Sequence, residues 1–493
     1  MIGSRLIFRR QYLLSPQQID CPFVHEILDV NQEYRLYSHS DLCVTKVKNG
    51  SRQLILLGDL FDYDDPLKGN EEILKDLLDL GLDLLLKRSG DYSGRFVLLF
   101  VEKNRFVILN DATAARKVFF SHHGGKIWFA SQQHLLAEVL GFQPTEDPSK
   151  QKFYQSRVFV KLNNSNLGNT TYYDDILQLM PNHYFDIISR ESVRFWPLEP
   201  PDQLTFEEVA EKCTLILAGH MKSIANRYKI MLPVTAGGDS RLLMSTTRDF
   251  QEDVYYYINQ TEDMRDRHKD IRYPVRFFKK LGMEYHVLHL PSDIDPAFKE
   301  AYFRNSPLAS RYFLPHIYNY FLHFADRVNL PGNVASSPWG IYHMNGRRVT
   351  VDELTRYYTV SEFEYAGDYY ANWMNSIQQF CSDYRLNVIS LFYWEERMAN
   401  WGNQISIDKD IAQEEFNPLN SRILNELFLS LPLKYNNEPD KKLHKAIIQN
   451  LWPELMHMPF NPTVRTAMKM LLARLGLFTP ISRGIYHLTS KTQ

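Results

Sequence analysis

The sequence predicts a layered α+β N-terminal domain over 1–200. An α/β domain built on a parallel sheet, with a helical C-terminal part, follows over 201–493. Three observations carry this. Short β-rich runs separated by turn chemistry crowd residues 1–140. A β-α-β-α-β rhythm begins near residue 230. The 493-residue chain also exceeds the ~250–300 residues that one core organises.

In chain order, 54–57, 95–101, 105–109, 118–121 and 127–130 read as strands. Glu102-Lys103-Asn104 and His123-Gly124-Gly125 supply turns between them. The stretches 70–87 and 131–140 read as helices. Residues 141–204 form a polar, proline-dotted connection, and Glu199-Pro200-Pro201-Asp202 marks a boundary. Thr205 and Glu208 have capping-box spacing and open a helix to about Tyr228. Beyond it, 230–234, 254–258 and 285–290 read as strands, with helices over 240–249 and 269–280 between them. From about 295 onward the chain reads as mainly helical and is rich in Tyr, Phe and Trp.

The composition is globular, with 44% hydrophobic and 23% charged residues. A net charge of -2 gives no whole-chain field for nucleic acid. The four cysteines, Cys21, Cys43, Cys213 and Cys381, show no paired spacing, so neither a zinc site nor a disulfide framework is expected. Met1-Ile2-Gly3-Ser4-Arg5 lacks the apolar region of a signal peptide, and no run reaches the ~20 residues that span a bilayer. A cytoplasmic protein is expected. In the tail, no acid follows Glu454, and Val464, Met468, Leu471, Leu472, Leu475 and Phe478 recur at helical spacing. That stripe suits a helix packed on its own domain, with a membrane-surface or partner helix as the alternative.

The stretch with the most chemistry is Val234-Thr235-Ala236-Gly237-Gly238-Asp239-Ser240. Gly237 and Gly238 allow a sharp turn and close backbone approach. Ser240 stands where a helix begins, and the amides there favour an anion. Asp239 suits magnesium, which takes oxygen ligands and shares them with phosphates. The competing reading is a plain strand-to-helix turn capped by serine. The loop's place at a strand's carboxyl end, in a β-α-β-α-β series, favours the phosphate reading, because ligands of such sheets sit there. No Walker lysine is present.

The same loop resembles the Ser-Gly-Gly-X-Asp-Ser loop of the ATP pyrophosphatases, specifically the asparagine synthetase-like family. Asp270 and the residues after it, Glu395-Glu396-Arg397-Met398, and Glu414 with Phe416-Asn417-Pro418-Leu419 resemble later segments of that family. Gly58-Asp59-Leu60-Phe61-Asp62, Tyr92-Ser93-Gly94-Arg95-Phe96 and Trp128-Phe129-Ala130-Ser131 resemble its class II glutamine amidotransferase domain. The resemblance implies an Ntn-hydrolase-like N-terminal domain and a HUP-like ATP-pyrophosphatase domain. It further implies a carbon–nitrogen ligase that uses ATP and Mg2+ to make an acyl-adenylate. Val234, Thr235, Gly237, Gly238, Asp239, Ser240, Ile258 and Gly332 would bind nucleotide, with Ile258 beside adenine. Asp239 would bind the metal, and Glu414 would orient or deprotonate the amine. The partners implied are a small-molecule acid and an amine or ammonia, with no nucleic acid. A homo-oligomer is left open.

The departures from the family bear on mechanism. Position 2 is Ile2 where the family has its nucleophilic cysteine, Leu57 replaces its oxyanion-hole asparagine, and Ser93 replaces its amine-binding aspartate. Loss of glutaminase is therefore expected. The family's second acidic motif corresponds to 332–338, which holds no carboxylate. Its catalytic lysine has no match, and Lys441, Lys442, Lys445 and His457 are the candidates to replace it. These gaps support an alternative, a non-catalytic partner-binding protein with a vestigial ATP loop. A tRNA-modifying enzyme is disfavoured by the absence of a Cys-X-X-Cys pair and a basic face.

Overall fold

The computed structural model describes residues 2–261, 264–332, 349–431, 435, 441–462, 468, 471, 472 and 475. Residues 333–338, and Val464 and Phe478 of the tail stripe, lie outside these.

The N-terminal part holds twelve strands among the described residues: β1 (Tyr12–Ser15), β2 (His25–Asp29), β3 (Arg35–His39), β4 (Val44–Asn49), β5 (Arg52–Phe61), β6 (Ser93–Glu102), β7 (Arg105–Asn110), β8 (Phe119–His123), β9 (Lys126–Ala130), β10 (Leu177–Gln178), β11 (His183–Asp186) and β12 (Glu191–Arg194). They form two six-stranded sheets, in the orders β10-β8-β9-β1-β3-β2 and β12-β11-β7-β6-β5-β4. All pairings within them are antiparallel.

The runs Leu54-Ile55-Leu56-Leu57 and Val97-Leu98-Leu99-Phe100 are apolar throughout because both faces of their sheet are covered. Ile55, Leu57, Val97, Leu99 and Ile108 point one way, into a core shared with Tyr12, Leu14, Leu36 and Phe129 of the other sheet. Leu54, Leu56, Leu98, Phe100 and Leu109 point the other way. There they meet Ile73, Leu74 and Leu77 of the helix Asn70–Asp79, and also Leu354, Tyr370, Phe392 and Trp394 from beyond residue 350. The first sheet's outer residues Leu13, Tyr37, Phe119 and Trp128 pack with Tyr302 and Ile317 of the helices Pro296–Asn305 and Leu314–His323. Helices thus flank a pair of stacked antiparallel sheets, and residues from both halves of the chain build each outer layer.

A third sheet is wholly parallel, with strands β13 (Ile230–Pro233), β14 (Tyr255–Gln260), β15 (His286–His289) and β16 (Val328–Asn329) in the order β15-β14-β13-β16. Ile230 and Leu232 pack against Val209, Cys213 and Leu217 of the helix Phe206–Ala225, while Met231 and Tyr257 face Ile317 and Tyr320. The helix Phe206–Ala225 opens on the expected capping box. The Glu208 N–H donates to Thr205 Oγ1 at 3.2 Å, and the Thr205 N–H donates to Glu208 Oε2 at 2.8 Å.

Several expected elements differ in extent. The helix expected over 70–87 is two, Asn70–Asp79 and Leu82–Arg88, broken at Gly81 with φ 74°. The helix after the loop starts at Gly238 rather than Ser240, with Gly237 as its N-cap. Met468, Leu471 and Leu475 of the tail stripe are exposed, against the expectation that the stripe packs on its own domain. No helix among the described residues is long and apolar enough to cross a membrane.

Candidate nucleotide loop and the cluster beside it

The chain leaves β13 for β14 and β15 on one side, and later adds β16 on the other. Strand order therefore reverses between β13 and β16, and in open parallel sheets ligands characteristically bind at the carboxyl ends of strands beside such a reversal. The loop 234–240 follows β13, and Gly332 follows β16. The two meet closely: a Cβ on Gly332 would lie 2.9 Å from Ser240 N and 3.0 Å from the Asp239 carbonyl carbon.

The loop is held from inside and outside. The Thr235 N–H donates to Ser240 Oγ at 3.1 Å, and the Gly237 N–H donates to Thr235 Oγ1 at 3.0 Å. Asp270, at the start of the helix Lys269–Leu281, accepts from the Ala236 N–H at 3.0 Å. The Val234 N–H donates to the Tyr257 carbonyl, and the Val234 carbonyl accepts from the Tyr285 hydroxyl at 2.6 Å. The Ala236 carbonyl accepts from the Asn461 N–H at 2.8 Å and from Arg241 Nη2 at 3.3 Å. Arg241 is buried, also donates to the Pro459 carbonyl, and lies 3.8 Å from the Phe460 ring centroid. These bonds engage the loop amides up to Gly237. Gly238, Asp239 and Ser240 form the first turn of the helix, where no i−4 carbonyl is available to their N–H groups.

Asp239 has two partners that spacing did not reveal. Lys441 Nζ donates to its Oδ1 at 2.7 Å, and His444 Nε2 stands 2.9 Å from the same oxygen. Burial raises the Asp239 carboxyl. His444 and Lys441 outweigh that and hold it well below the usual carboxylate range. Of the four residues considered for the family's lysine, the fold brings Lys441 to the loop, where its Cδ also sits 2.7 Å from a Cβ built on Gly238. Lys445 lies over Phe460 instead, and Lys442 over Tyr435. Ile258 is buried in β14, one strand away from β13.

Glu414 sits in a different setting. Its Oε1 accepts from Arg95 Nη1 and Arg116 Nη2, each at 2.9 Å, so its partners come from β6 and from the connection between β7 and β8. Arg95 also grips both oxygens of Asp410, which Gln11 Nε2 contacts at 2.8 Å. Burial raises the Glu414 carboxyl, but Arg116, Arg95 and Arg10 bring it down to about 2. A general base works best when its pKa lies near the working pH, so this carboxylate suits anchoring better than proton abstraction. Its backbone joins it to the loop site: Asn329 of β16 donates to the Glu414 carbonyl at 3.1 Å, and Phe416 donates back to Asn329.

Two of the positions where the sequence departs from the glutaminase pattern are buried. Leu57 is buried in β5, and Ser93 Oγ is buried without a partner among the described residues. Burial pushes the Cys21 thiol up to about 11, which disfavours the thiolate. Among the described residues, no group of three or more His, Cys, Asp or Glu side chains is placed to hold a metal.

No family model matches the chain, and no curated protein matches it. Among solved structures it has a likeness to the glutamine phosphoribosylpyrophosphate amidotransferase from B. subtilis complexed with ADP and GMP. The two share 9% identity at a TM-score of 0.21, over 61% of this chain and 65% of that one. The chain thus spans less than two thirds of that relative, and a likeness this slight carries no argument about fold or function.

Proposed function

We propose that this chain is an ATP-dependent amide-forming ligase without glutaminase activity. A carboxylate oxygen attacks the α-phosphorus of ATP, and pyrophosphate leaves. An amine or ammonia then attacks the acyl carbon of the adenylate, losing a proton as AMP departs. The observation that carries this reading is the loop 234–240 facing Gly332 across the reversal of strand order, with three first-turn amides beside a lysine.

In this reading Thr235, Gly237, Gly238 and Ser240 hold the pyrophosphate. Val234, Ile258 and Gly332 line the nucleotide's path, and Lys441 meets phosphate charge. Magnesium neutralises phosphate charge when bound, and Asp239 is the carboxylate available to it. Engaging it at Oδ1 requires Lys441 and His444 to yield that oxygen. Glu414, fixed by its arginines, orients the amine. Ile2, Leu57, Ser93 and the raised Cys21 thiol support the absence of glutaminase.

A second reading draws on the same Asp239 contacts. A metal ligand already satisfied by two protein donors suits a partner-binding protein that no longer turns ATP over. Calorimetric titration with Mg-ATP and pyrophosphate release with a panel of carboxylic acids separate the two. The ligase reading expects ATP binding that weakens at least about tenfold in Asp239→Ala, the loss of a charged contact. It fails if the wild type and Asp239→Ala show the same absence of ATP heat. Binding without pyrophosphate release from any acid supports the second reading.

A further inference from the structure

The apolar stripe of the tail faces solvent. Met468, Leu471 and Leu475 are spaced three and four residues apart, and each side chain is more than half exposed. The Leu475 N–H donates to the Leu471 carbonyl at 3.1 Å, the i to i−4 bond of an α-helix. Such spacing puts the three side chains on one helix face. No Asp or Glu follows Glu454, whereas five Lys and Arg do.

A second basic surface stands where the chain sets out for the tail. The helix Lys269–Leu281 buries Ile271, Pro274, Phe277 and Phe278. Lys269, Arg272, Arg276, Lys279 and Lys280 recur at helical spacing and cover the opposite face, with the last three exposed. Residues 265–280 hold seven Lys and Arg against two Asp. Both aspartates serve other groups: Asp266 accepts from Gln260 Nε2 at 3.1 Å, and Asp270 from the Ala236 N–H at 3.0 Å. Lys269 Nζ lies 3.5 Å from Asn461 Oδ1, so the chain passes the start of this helix before the tail. Met468 follows seven residues later, within ~25 Å along the chain.

The two features together select a partner. A nucleic acid matches the cations and offers the apolar stripe nothing. A protein groove buries the stripe and leaves the basic face without a role. An anionic bilayer supplies charged headgroups above acyl chains, and so meets both. Arg465, Lys469 and Arg474 interrupt the apolar tail sequence, which suits the plane of the interface rather than its interior.

We propose that this chain docks on an anionic lipid bilayer. The tail stripe enters the boundary between headgroups and acyl chains, and the basic face of Lys269–Leu281 lies against the headgroups. This surface is separate from the ligase reading and needs no ATP.

Co-sedimentation of the full chain with lipid vesicles tests it. Vesicles of phosphatidylcholine and phosphatidylserine, about two to one, pellet the protein, and pure phosphatidylcholine binds it about tenfold or more weakly. Rising salt weakens the binding to anionic vesicles, because the basic face is screened. Each Lys or Arg at an anionic surface contributes about fivefold, so Arg276→Gln, Lys279→Gln and Lys280→Gln combined weaken binding about a hundredfold. Leu471→Gln with Leu475→Gln weakens it at least about tenfold. The comparison of the two vesicle types uses the unaltered protein, so it decides the matter even if a variant fails to fold. The proposal is overturned if anionic vesicles leave the protein in solution, if both vesicle types bind it alike, or if either folded variant binds as the wild type does. It is also overturned if polyuridylate binds the chain more tightly than anionic vesicles do. The same holds if sedimentation velocity without lipid shows a dimer that Leu471→Gln with Leu475→Gln dissociates.

Discussion

At the scale of single residues, the loop 234–240 depends on two backbones approaching where only hydrogen fits. A Cβ on Gly332 would press on the backbone of Asp239 and Ser240, and backbone cannot rotate away as a side-chain tip can. Gly332→Ala is therefore expected to push the β16 end away from the loop. It should destabilise the fold by about 1–3 kcal/mol, the range for overpacking, and weaken ATP binding more than its loss of stability explains. Gly367 is the control. It sits in the helix Glu364–Asp383 with nothing within 4 Å of a built Cβ, so Gly367→Ala should stabilise by about 0.5–1 kcal/mol and leave ATP binding alone. Thermal melts paired with ATP titration check both. This contrast also marks what could be read from sequence. The glycines, Asp239 and Ser240 were legible because their chemistry is local to a strand-to-helix turn. Asp270, Lys441 and His444 were not selectable, since 34, 202 and 205 residues separate them from their partners and no periodicity spans such gaps. Glu414 was legible as a functional candidate only through resemblance, and its arginine partners lie in the other half of the chain.

At the scale of elements, the most heavily loaded is the π-helical segment Tyr393–Gly402, which buries two adjacent carboxylates. Glu395 is matched by Arg194, whose Nη2 donates to its Oε2 at 2.9 Å. Glu396 has a neutral donor, the Tyr369 hydroxyl at 2.6 Å, and burial pushes its carboxyl from the ordinary 4.5 up to about 8. A raised acid binds protons in the folded state that the unfolded chain has already released. Its contribution to stability therefore falls as pH climbs from 4.5 towards 8. Lys117, buried and lowered to about 7 from 10.5, acts in the opposite sense, and its contribution rises with pH across 7–10.5. Glu396→Gln keeps an acceptor for Tyr369 and removes the titration. Between pH 5 and 8 the variant should lose less melting temperature than the wild type, by about a few degrees, with the two closest at the acid end. Equal pH slopes in scanning calorimetry would show that Glu396 is ionised in the fold. Strands were legible to different degrees for a related reason. Burial on both faces made β5, β6 and β7 continuous apolar runs. β2 and β4 lie at sheet edges with few buried residues, so neither forms a continuous apolar run.

At the scale of the whole molecule, the boundary read near residue 200 separates sequence patterns more cleanly than it separates cores. Leu54 and Phe100 share a core with Tyr370 and Trp394, and Trp128 shares one with Tyr302 and Ile317. Between these layers lies the buried cluster of Arg95, Arg116, Asp410 and Glu414, with side chains at most 15% exposed. Removing one member of such a cluster leaves charge buried without its partner, which costs about 3–5 kcal/mol. Arg95→Met should lower the melting temperature of the entire chain, because Asp410 and Glu414 each lose a cation and Asp410 loses both of its guanidinium bonds. Shared cores mean that neither half can lose its packing while the other keeps it. Scanning calorimetry should therefore show one transition in the wild type, displaced as a unit in Arg95→Met. Two transitions, with only one displaced, would mean that the cluster fastens together two separately stable bodies. A single displaced transition would explain what the N-terminal part contributes to the loop: Arg95 and Arg116 hold Glu414, the segment 414–416 bonds to β16, and β16 leads to Gly332 beside the loop.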